Sequence, residues 1–189
     1  CDKACFILQK TSDGDNLAPE HLYLIQEMVN GHCNELGEAE FGRLFGLRNE
    51  AILPELLGEL PPEQVRRLAA RKEKAFRRRI AGRVRALPGA AELVRRLQEA
   101  GVRQAIVSST PRANIELILH SLGLEGAFAA TVGEEDVSKG KPDPEGFLTA
   151  AARRATPPGG CVVLEDAPEG VAAAKAAAMR CIAVATTRR

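Results

Sequence analysis

The chain has no tryptophan, one tyrosine and six phenylalanines, so aromatics make up 4% of its 189 residues. Its core must therefore be built from Leu, Val, Ile and Ala, and no aromatic stacking platform is interleaved with its positive charge, as single-stranded nucleic-acid binders require. It lacks any apolar run of the roughly 18–20 residues needed to span a bilayer. Charge of one sign is lacking too. Lys and Arg number 26 against 25 Asp and Glu, a net charge of +1, which gives no global pull toward nucleic acid or membrane. The five cysteines, at 1, 5, 33, 161 and 181, form no C-x-x-C pair and no metal spacing with the three histidines. Cys161 and Cys181 open apolar runs and read as small buried hydrophobes, which suits a reducing, intracellular compartment. No signal peptide is visible, and a start at Cys1 reads as a fragment or a trimmed chain.

What is present is 45% hydrophobic and 27% charged residues, the profile of a globular protein with one well-buried core and room for a small second lobe. Short apolar runs at 5–8, 104–107, 129–132, 161–164 and 181–185 read as strands. Runs apolar on both faces predict a sheet covered by helices on both sides. Helical patterns lie between them. Residues 88–101 begin at a proline, repeat apolar residues at 93, 94 and 97, and stop at Gly101. Residues 111–123 place Ile115, Ile118, Leu119 and Leu122 on one face, and 168–179 are Ala-rich. From residue 88 onward the pattern predicts a doubly wound α/β domain with a mostly parallel sheet, whose strand ends lie along one edge. Residues 20–87 are helix-like throughout, so a helical lobe is inserted after the first strand. The expected division is 1–18 with 88–189 for the α/β core and 19–87 for the lobe.

Three stretches carry chemistry. "VSSTPRAN" (107–114) follows a strand and opens a helix; Ser108, Ser109 and Thr110 either cap that helix or hold an anion there. "SKGKPDPEGF" (138–147) restrains Lys141 between prolines, either as a surface turn or as a fixed ammonium for a phosphoryl group. "CVVLEDAPEG" (161–170) ends a buried strand in Glu165 and Asp166. Such adjacent acids repel unless a cation lies near them, and a hard cation such as Mg²⁺ fits; preference for acids at a helix start is the plainer alternative. Together the three predict a phosphate-plus-magnesium site at one sheet edge. Residues 61–85 hold ten Arg or Lys against two Glu. They read as the solvated face of a helix with Leu68, Phe76 and Ile80 inward, not as a nucleic-acid surface.

In this order, "VSST", "GKPDPEGF" and "LEDAPEGV" resemble the second, third and fourth motifs of the haloacid dehalogenase-like hydrolases. "RLFGLRNEAIL" (43–53) resembles the helical cap of the beta-phosphoglucomutase-like phosphatases within them. The resemblance implies a Rossmann-like α/β fold with an inserted all-helical cap, and one more element after the last strand than this chain carries. It implies that Ser108 and Lys141 act on the transferring phosphoryl group, with Ser109 and Thr110 beside it. Asp166 ligates Mg²⁺, with Glu165 a ligand or its orienter, and Arg48 closes over substrate. It implies a monomer acting on a small phosphorylated molecule, a sugar phosphate or a nucleotide-pathway phosphate.

The family's first motif, D-x-D-G, is degenerate. Aligning Pro19 and His21 with the family's D-S-E-P-x-H segment puts Gln9 at the nucleophile and Thr11 at the acid–base position, where Thr11 keeps a backbone carbonyl for Mg²⁺. An amide is a poor nucleophile, and a threonine hydroxyl is no acid near neutral pH. A rival register uses Asp13 and Asp15 through a longer loop. A third reading makes residues 1–18 an alternative or erroneous first exon. The expected activities are a Mg²⁺-dependent phosphatase, an inactive homologue that still binds a phosphorylated ligand or a protein, or a sugar-phosphate mutase.

Overall fold

The structure, a computed structural model, describes residues 5–9 and 48–184. Thr11, Asp13, Asp15 and the beginning of the cap segment lie outside the described residues. Five strands form one sheet, β1 (Cys5–Gln9), β2 (Arg103–Val107), β3 (Ala130–Val132), β4 (Cys161–Glu165) and β5 (Arg180–Ala183). Each matches an apolar run of the sequence. All pairings are parallel and the order is β3-β2-β1-β4-β5. Parallel neighbours need crossover connections, which α4 (Arg112–Ser121), α5 (Glu145–Arg153) and α6 (Pro168–Ala176) supply between successive strands from β2 to β5. One face is filled by Ala105, Val107, Cys161 and Val163, packed against Phe147, Ala150 and Ala151 of α5 and Ala173 and Ala174 of α6. The small alanines let these helices lie close to the sheet. Cys161 is buried, as expected, and its thiol donates to the Pro157 carbonyl at 3.6 Å; Cys181 is half-buried.

On the opposite face lies α3 (Ala90–Glu99), entered after Pro88 and ended at Gly101. Gly101 adopts φ 68°. Its N–H donates to the Gln98 carbonyl and the Val102 N–H to the Leu97 carbonyl, a left-handed closure that favours glycine.

Before these elements come α1 (Asn49–Leu57) and α2 (Pro62–Ile80), which pack on one another and form the described part of the inserted helical cap. The basic stretch mostly faces solvent: Arg66, Arg67, Arg71, Lys74, Arg78 and Arg79 are exposed, while Phe76 and Ile80 are fully buried and Leu68 is half-buried. Phe76 and Ile80 pack with Val84 and with Ile118 of α4, so an apolar seam joins cap to core. Burying such side chains contributes about 1.5–3 kcal/mol each. Lys72 and Glu73 break the pattern, since both are buried in the middle of this charged helix.

Candidate functional site

The strand order reverses at β1, the central strand, flanked by β2 and β4. Ligands of open α/β sheets bind at the carboxyl ends of strands beside such a reversal. In register, Gln9 pairs with Val107 and Leu8 with Leu164. Gln9 therefore ends its strand one row before Ser108 on one side, and level with Glu165 and one row before Asp166 on the other. The edge predicted from three separated stretches is a single edge.

Ser108 is buried, with its N–H donated to the Val132 carbonyl at 2.9 Å and its Oγ accepting the Thr110 N–H at 3.3 Å. This local turn aims the 108–110 segment at the start of α4. Part of the helix start is already occupied: the Arg112 N–H donates to the Glu135 carboxylate at 3.0 and 3.1 Å. An incoming anion would thus meet the Ser108–Ser109 end of the loop rather than this amide.

Lys141 crosses the edge from the loop after β3. Its Nζ lies 3.2 Å from Glu165 Oε2, with side-chain exposures of 7% and 0%, and 5.2 Å from the centroid of the Phe147 ring. Glu165 Oε1 accepts the N–H groups of Asp166 and Ala167 at 3.2 and 3.0 Å. Both Glu165 oxygens are therefore engaged within the protein, one by the ammonium and one by the start of α6. Burial pushes the Lys141 ammonium below its ordinary range and the Glu165 carboxyl above its own, and their mutual attraction opposes both shifts. A dianionic phosphoryl group beside Lys141 would further favour the charged form.

The Lys141 loop is held from several sides. Glu145 accepts the N–H groups of Ser138 and Lys139, at 3.0 and 2.7 Å. Asp136 receives the guanidinium groups of Arg112 and Arg153, each at 2.6 Å, and the Gly133 N–H at 2.8 Å. Burial raises the Asp136 pKa, but these donors outweigh it and hold the carboxyl below its usual value. Arg48, the N-cap residue of α1, reaches the same loop. Its guanidinium donates to the carbonyls of Glu134, Ser138 and Val137 at 3.1, 3.3 and 3.4 Å. A cleft lined by Arg48, Ser108, Ser109, Glu134, Lys139 and Lys141 lies between cap and core.

Glu134 at this mouth is pushed up to about 7, first by burial and then by the charges of Glu73, Glu50 and Glu135, with Arg48 offsetting part. A carboxyl raised above its ordinary 4.5 contributes stability that is complete below that value and lost as pH rises through about 7. Unfolding free energy is therefore expected to fall by about 1–2 kcal/mol between pH 5 and pH 8, after allowance for screening of a half-exposed group. Glu134→Gln should flatten that part of the profile in urea titrations; an unchanged profile would refute the assignment.

Ser108, Ser109, Arg48 and Lys141 thus line one cleft, Lys141 grips Glu165, and Asp166 follows directly. Thr110 stands beside them in the Ser108 turn. Sequence reasoning passed over Phe147, which lines the cleft under Lys141, and Asp136, Glu145 and Gly170, which support the site from behind. A Cβ added to Gly170 would overlap the Glu165 carboxylate, and the only trace of this in sequence is a glycine in an otherwise Ala-rich helix. Among the described residues no group of three or more His, Cys, Asp or Glu could hold a metal by itself. That donor set still fits Mg²⁺, which characteristically takes one or two carboxylates and completes its shell with water and phosphate oxygens.

A family model described as haloacid dehalogenase-like hydrolase matches residues 14–178. A chloroplastic 5-amino-6-(5-phospho-D-ribitylamino)uracil phosphatase of Arabidopsis thaliana is 37% identical over 145 residues, 76% of this chain and 39% of that protein. A bifunctional riboflavin kinase/FMN phosphatase of the same plant is 46% identical over 103 residues, 54% of this chain and 27% of that protein. The chain thus spans well under half the length of these relatives. Among solved structures, a hydrolase from Pseudomonas syringae superposes with a TM-score of 0.81 at 25% identity, covering 97% of this chain and 85% of that one. A family IA, variant 3 hydrolase from Entamoeba histolytica superposes at 0.86 and 23% identity, covering 98% and 86%, and speaks for the fold alone.

Proposed function

Because this chain belongs to the haloacid dehalogenase-like hydrolases, we propose that its cleft takes the phosphoryl group of a small phosphorylated metabolite and that the chemistry it serves is Mg²⁺-dependent phosphomonoester hydrolysis. The observation that carries this reading is the buried Lys141 ammonium, clamped by Glu165 in the same cleft as Ser108. Ser108 would donate its hydroxyl to a phosphoryl oxygen, and Lys141 would neutralise a second. Preorganised charge of this kind stabilises phosphoryl transfer without moving in the reaction. Glu165 orients Lys141. Asp166 would hold Mg²⁺, with the Thr11 carbonyl as a further donor; when bound, the ion neutralises charge developing on the phosphoryl oxygens. Residues 19–87 would form the cap that closes the cleft, and sugar phosphates or nucleotide-pathway phosphates are the substrate class.

A second reading, ligand binding without turnover, is favoured by Gln9 at the end of β1. An amide there supplies no attacking carboxylate. One experiment separates the two: Mg²⁺-dependent phosphate release from a panel of phosphate esters, run beside titration of inorganic phosphate. Turnover eliminated by Asp166→Asn supports hydrolysis. Phosphate binding without turnover supports the second reading. Absence of both, or turnover indifferent to Asp166→Asn, removes the phosphate site.

A further inference from the structure

The buried charged pair on α2 has no part in the chemistry above. Glu73 is 5% exposed, Asn49 5% and Asn114 0%. Glu73 Oε1 accepts the Asn49 amide at 3.0 Å, and Lys72 Nζ lies 2.6 Å from the same oxygen. Glu73 Oε2 accepts the Asn114 amide at 2.5 Å, while Arg77, one helical turn on, donates to Asn114 Oδ1 at 2.8 Å. Glu73 and Arg77 thus read both ends of one side-chain amide, an acceptor against its donor and a donor against its acceptor.

Two of the three elements joined here adjoin the cleft, α1 through Arg48 and α4 through the Ser108 turn that precedes it. Asn114 sits in the first turn of α4, four residues beyond Thr110. Asn49 follows Arg48, whose guanidinium crosses to the Lys141 loop. The Arg48 stem also lies against Gly140: a Cβ there would come 2.8 Å from Arg48 Cδ and 3.1 Å from its Cγ. One carboxylate therefore fixes the cap arginine and the Ser108 turn in a common frame.

We propose that Glu73 is a positioning residue for phosphate binding, setting the cap's seat on the core by joining Asn49 to Asn114 so that Arg48 and the Ser108 turn face Lys141 together. The proposal rests on the phosphate-site reading for its functional consequence, but not for its geometry. The buried network leaves little freedom for partial engagement. A carboxylate deprived of the Asn114 amide retains a desolvated oxygen at Oε2, so loss of that contact loosens the frame.

The test uses Glu73→Gln, Asn114→Asp and their combination in the full chain, with inorganic phosphate plus Mg²⁺ as the probe and amide hydrogen exchange as an independent readout. Each single change puts like groups together: Glu73→Gln turns an NH2 toward either the Asn114 amide donor or the Asn49 and Lys72 donors, and Asn114→Asp sets carboxylate against carboxylate. Each should speed exchange across residues 108–115 and weaken phosphate binding by about tenfold, within the coupling that one buried network carries. The combined exchange restores donor against acceptor between 73 and 114, with Arg77 facing a carboxylate oxygen, but leaves Lys72 beside a neutral amide, so it should recover part of both. Arg48→Ala should weaken binding similarly, and adding Glu73→Gln to it should do little more, whereas general loosening of the fold would add in full. Unrescued binding in the double variant, full additivity with Arg48→Ala, or unchanged exchange in the single variants would overturn the proposal. If the unsubstituted chain binds no phosphate, the phosphate-site reading fails; the exchange data then decide the Glu73 frame on their own.

Discussion

Lys141→Ala is expected to abolish phosphate binding and to lower unfolding free energy by about 3 kcal/mol, the low end for breaking a buried ion pair. The low end applies because Glu165 can respond. Burial already pushes that carboxyl upward, so without the ammonium it takes up a proton instead of remaining as an isolated charge. The stability loss should therefore shrink as pH falls from 7 to 5, which urea titrations at both values would show. Lys139 lines the same cleft, but its side chain is 74% exposed. Lys139→Ala should change stability by less than about 1 kcal/mol. Equal losses for the two lysines would mean that burial of the Lys141–Glu165 pair has no energetic consequence.

Gly170→Ala should do nearly as much damage without altering a charge. Gly170 lies in the first turn of α6, directly beside the Glu165 carboxylate. Helix propensity alone favours alanine over glycine by about 1 kcal/mol, so an exposed position would gain stability. Here the added methyl has no space. Glu165 is fully buried and held by Lys141 and two backbone amides, so neither strand nor helix can yield cheaply. A net destabilisation of about 2–3 kcal/mol is expected, as for overpacked cores, with weakened phosphate binding because a displaced Glu165 releases Lys141. Gly159→Ala is the control, since nothing lies within 4 Å of its added Cβ, and it should stay within about 0.5 kcal/mol. A more stable Gly170→Ala protein in chemical denaturation would contradict the packing described.

Much of this was legible in the chain. Parallel strands buried on both faces must be apolar at consecutive positions, and the five runs found by that rule match the five described strands, although β5 is largely exposed. Proline and glycine mark helix ends because one lacks an N–H and the other tolerates positive φ, and α2 and α3 begin and end accordingly. One element escaped notice: α5 starts at Glu145, inside a stretch read as loop because of its prolines. Convergence of Ser108, Lys141 and the Glu165–Asp166 pair could be inferred because alternation of strand and helix brings successive strand ends to one edge.

Side-chain partnership was not legible, because it depends on which residues a fold brings within hydrogen-bond distance. Glu73 and Lys72 look in sequence like two more charges on a basic helix, and only the packing of α1, α2 and α4 buries them. Glu165 and Asp166 are equivalent neighbours in the chain. Tertiary structure separates them by turning one inward to Lys141 and the α6 amides and leaving the other to follow at the helix start. Local composition and periodicity determined the elements and their order, since backbone hydrogen bonding and burial act residue by residue. Which carboxylate orients and which arginine straps the loop were decided by contacts between residues 24 and 90 positions apart, which no local pattern encodes.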